Sequence, residues 1–185
     1  MLAGAQLDAA IRSVLSRPFR QAFFRASRLR HAGDPLGRGR PIAENRFNLE
    51  NGARVLYLSE QAATCLEEIQ ATGFPPFSVG IVPVQLDLKA VLDLRDAKIL
   101  GALHLTPNDL AFNFRSLPPG SPPTDTQLLG ERCSALSCID GLLFPSFALQ
   151  PPTGTNIAVI EATLPILGSS IFVDDPGSNL RDRLP

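Results

Sequence analysis

Residues 46–68 read RFNLENGARVLYLSEQAATCLEE, and the reading of this stretch decides the fold. Arg46 and Asn48 end a glycine-rich loop. Arg54-Val55-Leu56-Tyr57-Leu58 is a short apolar run closed by Ser59-Glu60, which reads as a strand. An alanine-rich helical run from Gln61 to Ala71 follows, with Ala62, Cys65, Leu66 and Ile69 at helical spacing. Loop, strand and helix in direct succession make this a mixed α/β chain. They also put a guanidinium (Arg46), a phenol (Tyr57) and a carboxylate (Glu68) on three successive elements. The strand–helix joint leaves backbone N–H groups free at a helix N-terminus, which favours an anion. The stretch points to an anionic, ribose-bearing ligand.

The helix carries two adjacent glutamates. At a step of about 100° per residue, Glu67 points nearly opposite the apolar face and Glu68 lies closer to its margin. Glu68 is therefore the better placed to look into a pocket. Read without any further pattern, both are ordinary solvated glutamates.

Upstream, Leu7, Ala10, Ile11, Val14 and Leu15 give a helix over residues 6–16, which Pro18 either stops or follows with a second short helix. Phe23-Phe24-Arg25-Ala26 reads as the first strand. Residues 31–41 form a loop marked by Gly33, Pro35, Gly37, Gly39 and Pro41. Its Gly37-Arg38-Gly39-Arg40 could cradle phosphate or be a plain surface turn.

Downstream, residues 77–88 form a long strand in which Pro83 argues for an edge or a bulge. Residues 91–94 lead into a helical or turn segment up to Leu103. Thr106-Pro107 is an N-cap followed by proline at the first helical position. Residues 116–123, SLPPGSPP, have a linker's composition but read as a loop or lid within one domain. Thr124 caps a helix to about Leu136. Strands follow at residues 140–145, 157–160 and 169–173, and the end of the chain is polar.

The chain has 185 residues, 44% of them hydrophobic, enough for the core of one domain. A net charge of −1 gives no global basic field, so nucleic acid is not an expected partner. The arginines crowd the first third: Arg12, Arg17, Arg20, Arg25, Arg28, Arg30, Arg38, Arg40, Arg46 and Arg54. That bias suits an anionic ligand or an acidic partner, or makes a solvated arginine-rich face. Cys65, Cys133 and Cys138 have no metal-ligand spacing and read as reduced, in a cytoplasmic protein. With only two histidines, His31 and His104, no metal site is expected. No stretch has the length of a membrane span or the pattern of a signal peptide.

Three blocks resemble the RES-domain family, named for Arg, Glu and Ser. The first is Asn45-Arg46-Phe47-Asn48. The second joins Tyr57-Leu58-Ser59-Glu60 to Cys65-Leu66-Glu67-Glu68. The third is the apolar run 140–144 ending in Pro145-Ser146, with Asn156 opening the next strand. Phe47 stands where the family has Trp, and Glu44-Asn45 where it has two glycines. The family's usual ending after Asn156 is not evident. The resemblance implies an α+β single domain with an ADP-ribosyltransferase-like split β-sheet and flanking helices. That domain would span 23–175, between an N-terminal helical segment (1–22) and a polar tail (176–185).

It also implies an NAD-degrading enzyme, the toxin of a toxin–antitoxin pair. Arg46, Tyr57, Glu68 and Ser146 would be its catalytic residues, lining one cleft. Arg25, as a second phosphate contact, Asn48 and Asn156 would bind substrate. NAD enters as substrate, inorganic phosphate or water as acceptor, and no cofactor is expected. The implied protein partner is a helix-turn-helix antitoxin of the Xre type, and a homodimer or hetero-oligomer stays open. Two other readings come from the residues. One is a non-catalytic binding or assembly module whose Glu44-Asn45 loop no longer admits NAD. The other is a hydrolase with Ser146 or Cys133 as nucleophile, which the scarcity of histidine bases disfavours.

Overall fold

The computed structural model describes residues 2, 4–28, 33–37, 41–71, 79–149, 152–175 and 180–185. The expected glycine–arginine turn at 38–40, His31 and the start of the strand at 77–78 lie outside them.

The elements are α1 (Gly4–Ser13), β1 (Arg17–Arg28), β2 (Val55–Ser59), α2 (Ala62–Ala71) and β3 (Val79–Asp93), then α3 (Ala97–Ala102), α4 (Pro107–Ala111) and α5 (Asp125–Leu136). After these come β4 (Gly141–Pro145), β5 (Thr155–Ile160), α6 (Leu164–Leu167), β6 (Ser170–Asp175) and β7 (Leu180–Leu184). Strands and helices build one α+β domain around a single sheet, ordered β1-β2-β5-β4-β3-β6-β7. β1 also pairs antiparallel along almost the whole of β3. The pairings β3–β1, β1–β2, β2–β5, β5–β4 and β4–β3 therefore close into a ring, with β6 and β7 attached outside it.

The sheet splits at one edge of β3. Gln85–Asp87 pair there with β6, and Val91–Asp93 pair in parallel with β4. Between these two partners β3 bulges: opposite Pro18 of β1 stand two residues, Lys89 and Ala90. Pro18, expected to break the chain, is thus the second residue of β1, placed where it has no ladder N–H to give. The N–H groups that the split leaves over go to Asp140. Its Oδ2 accepts from Lys89 N at 2.8 Å and its Oδ1 from Ala90 N at 3.1 Å. Ser169 Oγ donates to the same carboxylate. Asp140 is fully buried, and these donors satisfy its side-chain oxygens.

Alternation along the strands sends side chains into two cores. Leu56, Leu58, Leu143, Ile157 and Val159 join Phe23, Val84 and Leu86 in one. Leu142, Phe144, Ala158 and Ile160 join Leu7 and Ile11 of α1 and Leu129 and Cys133 of α5 in the other. Asp8 of α1 takes Arg132 Nε of α5 at 2.7 Å, which ties the N-terminal helix to the domain.

Two expected boundaries move. β1 begins at Arg17, so the helical segment ends before it, and 22/23 is not an edge of the fold. Residues 180–184, expected within a polar tail, form β7 and pair with β6, with Leu184 packed into the core. The alternating charges of Leu-Arg-Asp-Arg-Leu hid this strand. Pro83 sits where β3 has β1 as a partner but has not yet reached β6, which fits the expected edge position. Thr106 and Thr124 cap α4 and α5 as expected, each in a capping box.

Candidate active site

The turn carrying Arg46 is held from several sides. Asn45 and Asn48 close it with N···O distances of 3.0 and 3.4 Å. Phe47 is fully buried and packs edge-on against Phe144 at 5.0 Å. From the strand below, the Tyr57 hydroxyl accepts from Phe47 N at 2.9 Å and donates to Asn48 Oδ1 at 2.9 Å. The Asn48 amide gives both its hydrogens to carbonyls, Ala43 O at 2.7 Å and Leu49 O at 3.1 Å. Asn48 thereby locks the loop with both amide hydrogens while it also lines the cleft. Burial pushes the Tyr57 phenol up, against the opposing Phe47 N–H and Arg46 charge, so it stays protonated at neutral pH.

α5 clamps the same turn. Gln127 is buried and gives Nε2 to Glu44 Oε1 at 2.8 Å and to Asn45 O at 3.2 Å. One helical turn on, Glu131 Oε1 accepts from Leu49 N at 2.9 Å and Ala53 N at 3.0 Å. Between them Gly130 lets the helix touch the loop: a Cβ there would stand 1.9 Å from Phe47 O. Glu44 therefore turns to Gln127 and is not part of the cleft lining.

The cleft has a volume of about 370 Å³, within the range of small-molecule sites. Arg25, Arg46, Arg54 and Arg115 line it, with the carboxylates of Glu68 and Glu161. Arg46 is oriented by two carbonyls at the C-terminal end of α4. Its Nη1 donates to Leu110 O and, at 3.1 Å, to Phe112 O, and its guanidinium lies over Phe147 at 5.4 Å. Removal from water lowers the Arg46 pKa, the Glu68 charge opposes that, and the Arg115 charge adds to it.

Helix α2 presents Cys65, Glu68 and Ile69 to the cleft at helical spacing. Glu68 Oε1 accepts Ser146 Oγ at 2.7 Å and Asn156 Nδ2 at 2.6 Å. Ser146 is fully buried and lies outside the lining, so of the four residues expected in one cleft it stands behind the wall. Asn156 lines the cleft and is 5% exposed. A carboxylate opposite its amide fixes Nδ2 toward Glu68, which leaves Oδ1 buried without a partner among the described residues. An orphaned acceptor costs about 1–3 kcal/mol and is typical of functional sites.

Arg25 also lines the cleft, with Nη1 on Leu36 O at 3.1 Å. Arg115 carries no sequence signal, since nothing in the pattern around residue 115 separates it from a surface loop. Arg54 stands out in the sequence only as part of a cationic bias. The two nucleophile candidates fare badly: Ser146 and Cys133 are both fully buried, and burial pushes the Cys133 thiol up. Among the described residues no group of His, Cys, Asp and Glu could hold a metal ion. Nor is any helix long and apolar enough to cross a membrane.

A family model described as "RES domain" matches residues 20–178. The chain belongs to the RES-domain family. Among solved structures, it resembles a chain of the M. tuberculosis MbcT–MbcA toxin–antitoxin complex. The TM-score is 0.66 at 21% identity, over 86% of this chain and 84% of that one. At that identity the likeness shows the fold, which the two chains share along most of their length. No match is found among curated proteins.

Proposed function

We propose that this RES-domain chain breaks the nicotinamide–ribose bond of NAD and is the toxin of a toxin–antitoxin pair. The observation that carries the reading is the Glu68 carboxylate, held on one oxygen by both Ser146 and Asn156 inside an arginine-lined cleft. When the bond breaks, its electron pair leaves with nicotinamide, which departs neutral and needs no proton. Positive charge grows on the ribose, and a fixed carboxylate beside it stabilises that state. Arg46, with Nη1 already anchored, offers its remaining N–H groups to the pyrophosphate as a planar fork. The Tyr57 hydroxyl is taken by Phe47 and Asn48, so Tyr57 contributes its ring as a wall. Ser146 and Asn156 position Glu68.

The acceptor completes the balance. Inorganic phosphate gives ADP-ribose-1″-phosphate, and water gives ADP-ribose and a proton. Incubation of the purified chain with NAD, with and without phosphate, followed by mass analysis, tests the reaction. Nicotinamide together with either product is expected, and intact NAD in both arms would overturn the reading. The toxin half draws support from family membership and from the neighbour, a chain of a toxin–antitoxin complex. The partner in this reading is an Xre-type helix-turn-helix antitoxin. Co-expression with the protein of an adjacent gene tests it: the two should purify together and growth arrest should be relieved.

A further inference from the structure

The four guanidiniums of the cleft are not equivalent. Arg25 and Arg54 each give Nη1 to a carbonyl of the neighbouring loop, Leu36 O at 3.1 Å and Gly37 O at 3.2 Å. Arg46 is half-buried, with Nη1 on the carbonyls of Leu110 and Phe112. Arg115 differs: its exposed guanidinium lies over the Phe114 ring at 5.0 Å and has no hydrogen-bond acceptor among the described residues.

Arg115 is nevertheless fixed in place. It lies in the 3-10 turn Phe114–Ser116, where its N–H donates to Asn113 Oδ1 at 3.2 Å. Ser116 Oγ caps Asn113 O at 2.7 Å, and Leu117 N closes on Phe114 O at 3.2 Å. Residues 110–115 thus do two things at once. Their carbonyls orient one guanidinium, and their last residue brings a second to the same cleft. Two cations held within each other's field, one of them half-buried, leave the cleft short of negative charge. Glu68 offsets part of this, but its Oε1 is committed to Ser146 and Asn156.

We propose that Arg115 and Arg46 form a two-guanidinium clamp for a diphosphate, so that this cleft selects nucleoside diphosphate derivatives over mononucleotides. The clamp rests on the NAD reading for its natural ligand, while the anion site itself can be probed alone. A diphosphate offers one phosphoryl group to each planar fork and carries more negative charge than a single phosphate. Arg115 joins Arg25, which lines the same cleft, as a cation within reach of phosphate.

The probe is inorganic pyrophosphate, titrated calorimetrically into the full chain, Arg115→Ala and Arg115→Lys, with inorganic phosphate as comparison. The parent should bind pyrophosphate more tightly than phosphate. Arg115→Ala should weaken pyrophosphate by about tenfold to a hundredfold, the range for losing hydrogen bonds to a charged group. Arg115→Lys should fall between, as a point charge lacks the fork. The residue is exposed, so both variants should melt like the parent. Equal pyrophosphate affinity in parent and Arg115→Ala, or no pyrophosphate binding by the parent, overturns the clamp. NAD turnover measured on the same samples separates the two readings. A parent that binds pyrophosphate through Arg115 yet leaves NAD intact keeps the clamp and overturns NAD cleavage. A parent that cleaves NAD with the same KM as Arg115→Ala does the reverse.

Discussion

Ser146 stands behind Glu68: its hydroxyl donates to Glu68 Oε1 at 2.7 Å, while the serine itself is fully buried and outside the cleft. A nucleophile must reach its substrate, and this hydroxyl reaches a carboxylate instead. Ser146 therefore holds Glu68, and of the two only Glu68 lines the cleft.

Ser146→Ala removes one of the two donors that fix Glu68 and leaves Asn156 in place. A hydrogen bond to a charged group is worth about 1.5–3 kcal/mol, so kcat for NAD cleavage should fall by roughly tenfold to a hundredfold. The KM for NAD should change much less. Steady-state kinetics on the two proteins checks this, and an unchanged kcat would remove Ser146 from the mechanism.

Gly130→Ala tests the contact between α5 and the Arg46 turn. The added Cβ would meet Phe47 O at 1.9 Å, a backbone atom that cannot swing away. Overpacking of this kind costs about 1–3 kcal/mol, which for a domain of this size is a fall of roughly 2–12 °C in Tm. Thermal unfolding followed by circular dichroism reads it directly. A Tm equal to the parent's would mean that the helix and the turn are not in contact in solution.

The site was legible in the sequence where its signals are local. Arg46, Tyr57 and Glu68 lie on three successive elements, and helical spacing alone favoured Glu68 over Glu67. Thr106 and Thr124 were readable for the same reason, since a cap is a pattern within four residues. What could not be read depends on partners far along the chain. Pro18 looks like a helix stop until Lys89 and Ala90 bulge opposite it. Asn48 reads from sequence only as a ligand contact, and its hold on the loop through Tyr57, Ala43 and Leu49 shows only in the fold. Residues 180–184 carry no strand pattern, and it is the ladder with β6 that makes them one.

Arg46→Lys tests the fork. Lysine keeps the charge, but a compact ammonium cannot hold both carbonyl contacts and still give a planar pair of donors to a phosphate. NAD affinity should fall by about tenfold or more, with the fold intact by circular dichroism. Unchanged affinity would take Arg46 out of the site.

Glu68→Gln keeps the volume of the side chain and removes its charge. The amide can still accept from Ser146 and Asn156 through its carbonyl oxygen, so the local packing is preserved. If the carboxylate acts by stabilising positive charge on the departing sugar, turnover should fall far more than ground-state binding of NAD. Only interactions that strengthen in the transition state speed the chemistry. Losing one such group costs on the order of 10²–10³ in kcat. Glu67→Gln, one residue away on the same helix and outside the cleft lining, carries the same change in net charge and helix propensity. It should turn over NAD like the parent, so a loss confined to Glu68→Gln belongs to the site and not to the helix. The measurement is kcat and the Kd for NAD on all three proteins. Equal kcat in the parent and Glu68→Gln would leave Glu68 as an anchor for Ser146 and Asn156 with no part in the chemistry.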